Sequence, residues 1–259
     1  MMLQRSNENT GKRCTAIMLA AGKGLRIGGD VRKQYLEIGG EPLLLHSVRT
    51  MAEDPLITDI VVMAPAGDEE MLRKLLAAYG MKGTTEGGKI RAVVTGGMER
   101  FHSVYLGLEA VHWHCDYAFI HDCARPFLDH GTLQRLYDAV CRDGACVAAM
   151  PSKDTVKIAD ADGFVSVTPN RSDVWIVQTP QVFTFELIRD AHRKLMAQLD
   201  EVRARGITIT DDAMVAEYMT GTKVRLVEAT YQNIKITTPE DIPLAEVLFM
   251  DTETTRSDQ

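Results

Sequence analysis

The sequence predicts an α/β protein with a largely parallel sheet covered by helices, and three observations support this. Short β-branched or apolar runs alternate with longer segments, the rhythm of βαβ units. In the longer segments apolar residues recur at three- and four-residue spacing. Gly22, Gly97 and Asp122 each fall just after a predicted strand, at the strand ends where such sheets gather ligands.

The strand-like runs are Ala16–Ala20, Ile57–Pro65, Ile90–Thr95, Tyr117–His121 and Ala145–Met150, each ending near Gly, Pro or Asp. Helical periodicity covers Leu43–Ala52, Glu69–Tyr79, Arg100–Val111 and Thr132–Asp143. From Ser152 to Asp173 the pattern changes. Asp154–Ile158 and Phe164–Thr168 flank Ala159-Asp160-Ala161-Asp162-Gly163, two short strands around an Asp-Gly turn. A hairpin this small does not fold alone and is expected to pack on something, such as another subunit. Helix signals return over Phe185–Arg205. Thr210, followed by Asp211 and Asp212, reads as an N-cap and acidic first turn for Ala213–Met219. Lys223–Val227 and Ile234–Ile236 read as strands, and Thr238-Pro239-Glu240-Asp241 opens the last helix. The chain is expected to form one domain over 14–250, with the arm inserted at about 152–173 and flexible tails at 1–13 and 251–259.

At 259 residues the chain can bury a substantial core. A net charge of −7 argues against nucleic-acid binding as its main business. Five irregularly spaced cysteines fit reduced thiols better than a disulfide framework. The polar start, Met1 to Arg13, is no signal peptide, and no apolar run approaches a membrane span. These features predict a soluble, cytoplasmic, globular protein.

The run Thr15 to Arg26 carries the strongest chemical signal. An apolar segment ends in a small-residue loop, Ala20-Ala21-Gly22-Lys23-Gly24, with the cations Arg26 and Lys33 following. Small side chains let backbone N–H groups approach an anion, and the cations can neutralise it. A dinucleotide fingerprint is a poor fit, because the third glycine is displaced to Gly28 and no acid sits convincingly at the end of the next strand. Gly83–Lys89 matches most of a phosphate loop, yet Ile90 replaces the Ser or Thr that would hold magnesium, and the segment precedes a strand. It reads as a turn. His112, His114, Cys115, His121 and Cys123 lack convergent zinc-ligand spacing and read as loop and core residues.

Asp122 ends a hydrophobic run, as a turn acid or as a magnesium ligand beside substrate phosphates. Gly96-Gly97, with Ser103 beyond, fits a plain helix-preceding turn and a backbone approached by a flat base equally well. Thr155, Arg171 and Lys235 carry no signal singly, since such residues are usually solvated.

Taken together, the segments resemble the 2-C-methyl-D-erythritol 4-phosphate cytidylyltransferases. Those carrying the resemblance are Leu19–Arg26 with Lys33-Gln34-Tyr35-Leu36; Gly97-x-x-Arg100-x-x-Ser103-Val104-x-x-Gly107-Leu108; His121-Asp122-x-Ala124-Arg125-Pro126; Thr179-Pro180-Gln181; and Asn233-Ile234-Lys235. Their order and spacing span about Thr15 to Leu248.

The resemblance implies a Rossmann-like nucleotidyltransferase fold and a homodimer interlocked by a protruding β-arm. It implies transfer of CMP from CTP to methylerythritol phosphate, with Mg²⁺ as cofactor, in the non-mevalonate isoprenoid pathway. By the same resemblance Arg26 and Lys33 are catalytic, and Ala20, Ala21, Gly22, Gly97, Arg100, Ser103, Asp122 and Cys123 bind CTP, with Asp122 also on the metal. Arg125, Thr155, Arg171, Thr179 and Lys235 would form the sugar-phosphate site, Thr155 and Arg171 coming from the partner's arm. Three positions depart from the pattern: Arg32 replaces a common proline, Cys123 a common alanine, and Gln232 an acid found in some relatives. The rivals are a cytidylyltransferase for another sugar-alcohol phosphate, such as ribitol 5-phosphate, and a non-catalytic nucleotide-binding domain.

Overall fold

The computed structural model describes residues 11–22 and 32–257. Its strands are β1 (Cys14–Leu19), β2 (Glu37–Ile38), β3 (Glu41–Pro42), β4 (Asp59–Ala64), β5 (Ile90–Thr95), β6 (Tyr117–Asp122), β7 (Ala145–Pro151), β8 (Ile158–Ala159), β9 (Val165–Val167), β10 (Trp175–Thr184) and β11 (Arg225–Glu228). Its α-helices are α1 (Leu43–Glu53), α2 (Glu69–Ala78), α3 (Arg100–Glu109), α4 (His130–Asp143), α5 (Phe185–Ala197), α6 (Leu199–Ala204), α7 (Asp212–Thr220) and α8 (Asp241–Ser257).

Seven strands form the central sheet in the order β11-β7-β10-β6-β1-β4-β5. All neighbours run parallel except β10, which is antiparallel to both β6 and β7. The mostly parallel sheet matches the expectation. Successive strands move outward from β1 through β4 to β5, and the chain then returns to place β6 on the other side of β1. That reversal is a topological switch point, where the loops part and leave a crevice.

β1, β4, β6 and β7 are apolar and buried at nearly every position because helices cover both faces. Alternate residues serve opposite faces. Ala16 and Met18 of β1, Ile60 and Val62 of β4 and Phe119 of β6 pack with Leu45 and Val48 of α1, Leu72 of α2 and Leu136 of α4. Ile17, Val61, Met63, Ala118 and Ile120 face the other way, against Val104 and Leu108 of α3, Ile188 of α5 and Ala216 of α7. None of the helices among the described residues is long and apolar enough to cross a membrane.

Several elements differ from the sequence reading. Ile234–Ile236 is not a strand; Ile236 N–H makes a single bond to the Ala124 carbonyl (2.8 Å). The helix predicted over Phe185–Arg205 breaks at Gln198 into α5 and α6. β10 is an addition: Gln178, Pro180 and Gln181 disguise its pattern, and its register shifts between Val177 and Gln181 where the chain passes Pro180. Asp211, not Thr210, caps α7, its carboxylate accepting from Met214 N–H (2.9 Å). At the N-terminal end, Arg13 already pairs with buried Asp59 (2.7 Å), so the ordered structure includes residues expected in a tail. At the other end α8 continues to Ser257.

The arm is present, with strands shorter than expected. β8 and β9 pair antiparallel, and the turn holds Gly163 at a φ of 87°, a left-handed value that suits glycine. Phe164 is 73% exposed and Ile158, Val165 and Val167 are exposed beside it, so this hairpin carries an apolar surface without a core of its own.

Candidate functional site

A cleft of about 860 Å³ opens at the carboxyl ends of β1, β4, β5 and β6, over the switch point. Leu19 at the end of β1 with Ala20, Ala21 and Gly22 beyond it, Pro65 and Ala66 after β4, Gly96–Arg100 after β5, and Asp122 at the end of β6 with Cys123 and Ala124 beyond it line the cleft. Arg32, Lys33, Lys235 and Thr237 reach in from two connecting segments. The parallel register sets Leu19 beside both Met63 and Asp122, which fixes the height of the loops relative to the acid.

The loop after β5 packs tightly on the loop after β1. A Cβ at Gly96 would sit 2.2 Å from the Ala21 Cβ, and one at Gly97 2.3 Å from the His102 Cβ. The glycine pair is therefore required by packing whatever base approaches it. Ser103, on α3, fixes this loop through its hydroxyl, which accepts from Gly97 N–H (3.0 Å).

Asp122 is the electrostatic centre of the cleft. Its Oδ1 lies 3.2 Å from Arg100 Nε and its Oδ2 2.6 Å from Lys235 Nζ. Burial alone would raise this carboxyl. The Arg100 and Lys235 charges more than offset it and hold the group well below the usual carboxylate range. Asp122 is an anion at any ordinary pH, and Arg100 and Lys235 are drawn over the cleft floor by it.

A buried network fixes Asp122 from behind. The Asp122 N–H donates to Thr179 Oγ1 (3.1 Å), and that hydroxyl lies 3.0 Å from His121 Nδ1. His121 Nε2 lies 3.2 Å from the Arg125 carbonyl, which can only accept. Nε2 therefore carries the ring proton, and Nδ1 accepts the proton of Thr179. Burial pushes the His121 imidazole down to about 4, which keeps it in this neutral form.

The segment carrying Lys235 is pinned in the same way. Fully buried Asn233 donates through Nδ2 to Gln178 Oε1 and to the Thr179 carbonyl, both 2.9 Å, and its own carbonyl accepts from Arg125 Nη1 (2.8 Å). Lys33, on the single turn Lys33–Tyr35, donates through Nζ to the Ile236 carbonyl (2.7 Å). Two lysines thus converge on the cleft through adjacent residues of one connector.

The expected site residues divide into groups. Ala20, Ala21, Gly22, Lys33, Gly97, Arg100, Ser103, Asp122, Cys123 and Lys235 all line the cleft. Arg125 lies just behind it on Asn233, and Thr179 is buried beneath Asp122 with its hydroxyl engaged. Thr155 and Arg171 are exposed on the arm and take no part in their own chain's cleft. Arg26 lies outside the described residues.

Of the departures from the family pattern, Arg32 pairs with Asp68 and Cys123 is fully buried. Gly83–Lys89 is a turn leading into β5, away from the cleft. His112, His114, Cys115, His121 and Cys123 do not converge: His114 meets Asp116 (3.3 Å), Cys115 the Tyr117 carbonyl and His121 the Thr179 hydroxyl. His121 and Asn233, though part of the motifs that carry the resemblance, and Asp212, read only as a first-turn acid, had no role in the site assigned from the sequence. The last lies 2.8 Å from Arg100 Nη1, and its only sequence signal is a second acid where one caps the helix.

Comparison with known proteins gives one result throughout. The family model described as 2-C-methyl-D-erythritol 4-phosphate cytidylyltransferase (IspD) matches residues 14–251. The 2-C-methyl-D-erythritol 4-phosphate cytidylyltransferase of Alkaliphilus oremlandii is 39% identical over 243 residues, covering 93% of this chain and 97% of the relative. That of Desulforamulus reducens is 41% identical over 234 residues, covering 90% and 94%. Among solved structures, the 4-diphosphocytidyl-2C-methyl-D-erythritol synthase of Anaerococcus prevotii superposes with a TM-score of 0.79 at 34% identity, covering 93% of this chain and 97% of that one. The Francisella tularensis cytidylyltransferase superposes with a TM-score of 0.72 at 27% identity, covering 92% and 100%.

Proposed function

The chain belongs to the 2-C-methyl-D-erythritol 4-phosphate cytidylyltransferase family, a CTP-dependent transferase that moves CMP from CTP to 2-C-methyl-D-erythritol 4-phosphate in non-mevalonate isoprenoid biosynthesis, and we propose that the cleft around Asp122 performs this transfer. The observation that carries the reading is the ion-paired set Arg100–Asp122–Lys235 at the switch point, facing the Ala20–Gly22 loop.

The loop offers backbone and small side chains to the triphosphate, and the glycine-lined loop after β5 takes the nucleoside. The phosphate of the sugar alcohol attacks the α-phosphorus in line, and pyrophosphate leaves. Both partners are anions, so positioning and cationic clamps supply most of the acceleration. Lys33 and Lys235, held 2.7 Å from the Ile236 carbonyl and 2.6 Å from Asp122, are placed to turn from these internal acceptors onto phosphate oxygens. Arg26 is the further cation expected from the sequence. The attacking phosphate is already ionised and needs no general base.

Asp122 fits the magnesium expected with a nucleoside triphosphate. Mg²⁺ takes one or two carboxylates and leaves its other positions to phosphates and water, and Asp122 is a permanently ionised carboxylate in the cleft. Its oxygens are occupied by Arg100 and Lys235, so holding the metal means exchanging one of these ion pairs. The metal would add charge neutralisation on the triphosphate.

The exposed apolar hairpin 152–173 supports a homodimer in which Thr155 and Arg171 complete the partner's sugar-phosphate site. Five free cysteines, four of them buried, support a reducing, cytoplasmic setting. A coupled pyrophosphate-release assay with CTP tests the substrate assignment. Turnover with methylerythritol phosphate is expected; turnover only with ribitol 5-phosphate would refute it, and CTP binding without turnover on either would favour a non-catalytic domain.

A further inference from the structure

Two acids open α7, and one of them suffices for the helix. Asp211 caps it, and Gln181 Oε1 accepts from the N–H groups of Asp212 and Ala213, both at 2.9 Å. The first turn of α7 is thus served without the Asp212 side chain, which points inward and is completely buried. An ionised group sealed from water costs several kcal/mol unless it is well paired.

Its partners are Arg100 and His192. Asp212 Oδ2 lies 2.8 Å from Arg100 Nη1, and Oδ1 lies 3.3 Å from Nε2 of His192, itself completely buried. Burial would raise the carboxyl, but the Arg100 charge, joined by His192, keeps it below its ordinary range and ionised. Arg100 therefore spans two carboxylates, with Nε at 3.2 Å on Asp122 and Nη1 at 2.8 Å on Asp212.

The two carboxylates are not equivalent. Asp122 opens on the cleft and has a second cation, Lys235, whereas Asp212 faces away and has no cation but Arg100 among the described lysines and arginines. A triphosphate with its metal competes for Asp122 and for the cations around it. Without a second anchor, Arg100 would be free to leave its place whenever Asp122 changed partners.

We infer that Asp212, braced by His192, is a positioning residue that keeps Arg100 seated in the CTP cleft while Asp122 exchanges its ion pairs. The inference rests on the reading of the cleft as the CTP site.

Calorimetric titration of the full chain with CTP and Mg²⁺ tests it, alongside steady-state kinetics with each substrate varied separately. Asp212→Asn keeps the shape and removes the charge. CTP binding is expected to weaken about 10-fold or more, with KM for the sugar phosphate within about twofold. The Arg100→Ala/Asp212→Asn double variant is expected to bind no more weakly than Arg100→Ala alone, as for two residues acting as one unit. Unchanged CTP affinity in Asp212→Asn, with or without a lower Tm, would overturn the inference and mark Asp212 as a structural counter-ion. Additive losses in the double variant would overturn it too.

If Asp212→Asn fails to fold, His192→Leu decides: about threefold weaker CTP binding is expected, and unchanged affinity overturns the inference. A wild-type protein that binds CTP without turnover refutes the functional reading alone; one that binds no CTP refutes both.

Discussion

Replacing His121 with glutamine removes the titratable group on which Asp122 indirectly rests and leaves a side chain that is uncharged at every pH. In the wild type the imidazole is completely buried between Thr179 and the Arg125 carbonyl, and burial lowers it from 6.5 to about 4. The unfolded chain takes up this proton as the pH falls through about 6.5, while the folded chain refuses it until about 4. Between those values the unfolded state binds more protons, so stability falls on acidification; above about 6.5 the contribution is constant. Carrying those two values from pH 7.5 to pH 4.5 gives a loss of about 2.5 kcal/mol from this one group. His121→Gln starts about 1–3 kcal/mol less stable because a buried hydrogen-bond partner is left unmatched, but its pH profile is flatter by that amount. Urea unfolding of both proteins at pH 7.5, 6.5, 5.5 and 4.5 measures the difference, with contributions from the other groups cancelling. Parallel profiles across the range would refute the assignment of a neutral, buried His121.

Other predictions follow from the cleft itself. Lys33→Ala is expected to lower kcat by about 100-fold or more, as for loss of a transition-state clamp, while circular dichroism and Tm stay close to wild type; near-normal kcat would contradict its role. Mixing Arg26→Ala with Arg171→Ala subunits is expected to restore activity, because a hybrid dimer contains one site with both arginines. No recovery in demonstrated mixed dimers would argue against a site shared through the arm.

The sheet was legible from the sequence because strands buried on both faces are almost continuously apolar, and β1, β4, β6 and β7 all read that way, while edge strand β5 showed itself by its β-branched residues. β10 was not, although it is central. Its polar residues are tolerated because Gln178 binds Asn233 and the Thr230 carbonyl, and Gln181 binds Asp211 and the start of α7. Such compensation is tertiary and leaves no local pattern. Many of the residues singled out at strand ends, among them Gly22, Gly97 and Asp122, line one cleft, although each also fitted a plain turn when read alone. The resemblance brought in Lys235, which on its own looked like a surface charge. Arg100 bridging Asp122 and Asp212 was invisible, because it joins residues 22 and 112 positions apart that only the tertiary packing of α3 on α5 and of α5 on α7 brings together. His121 likewise looked like a loop or core histidine until Thr179 was found beside it.

The fate of each phosphorus atom of CTP tests whether the Asp122 cleft transfers CMP. The full chain is incubated with methylerythritol phosphate and CTP labelled at either the α- or the γ-phosphorus, and the products are separated. α-Label is expected in the cytidine diphosphate alcohol and γ-label in pyrophosphate, with both products reduced about 100-fold or more in Asp122→Asn. γ-Label on the alcohol, or an Asp122→Asn enzyme that forms both products at the wild-type rate, would contradict the mechanism.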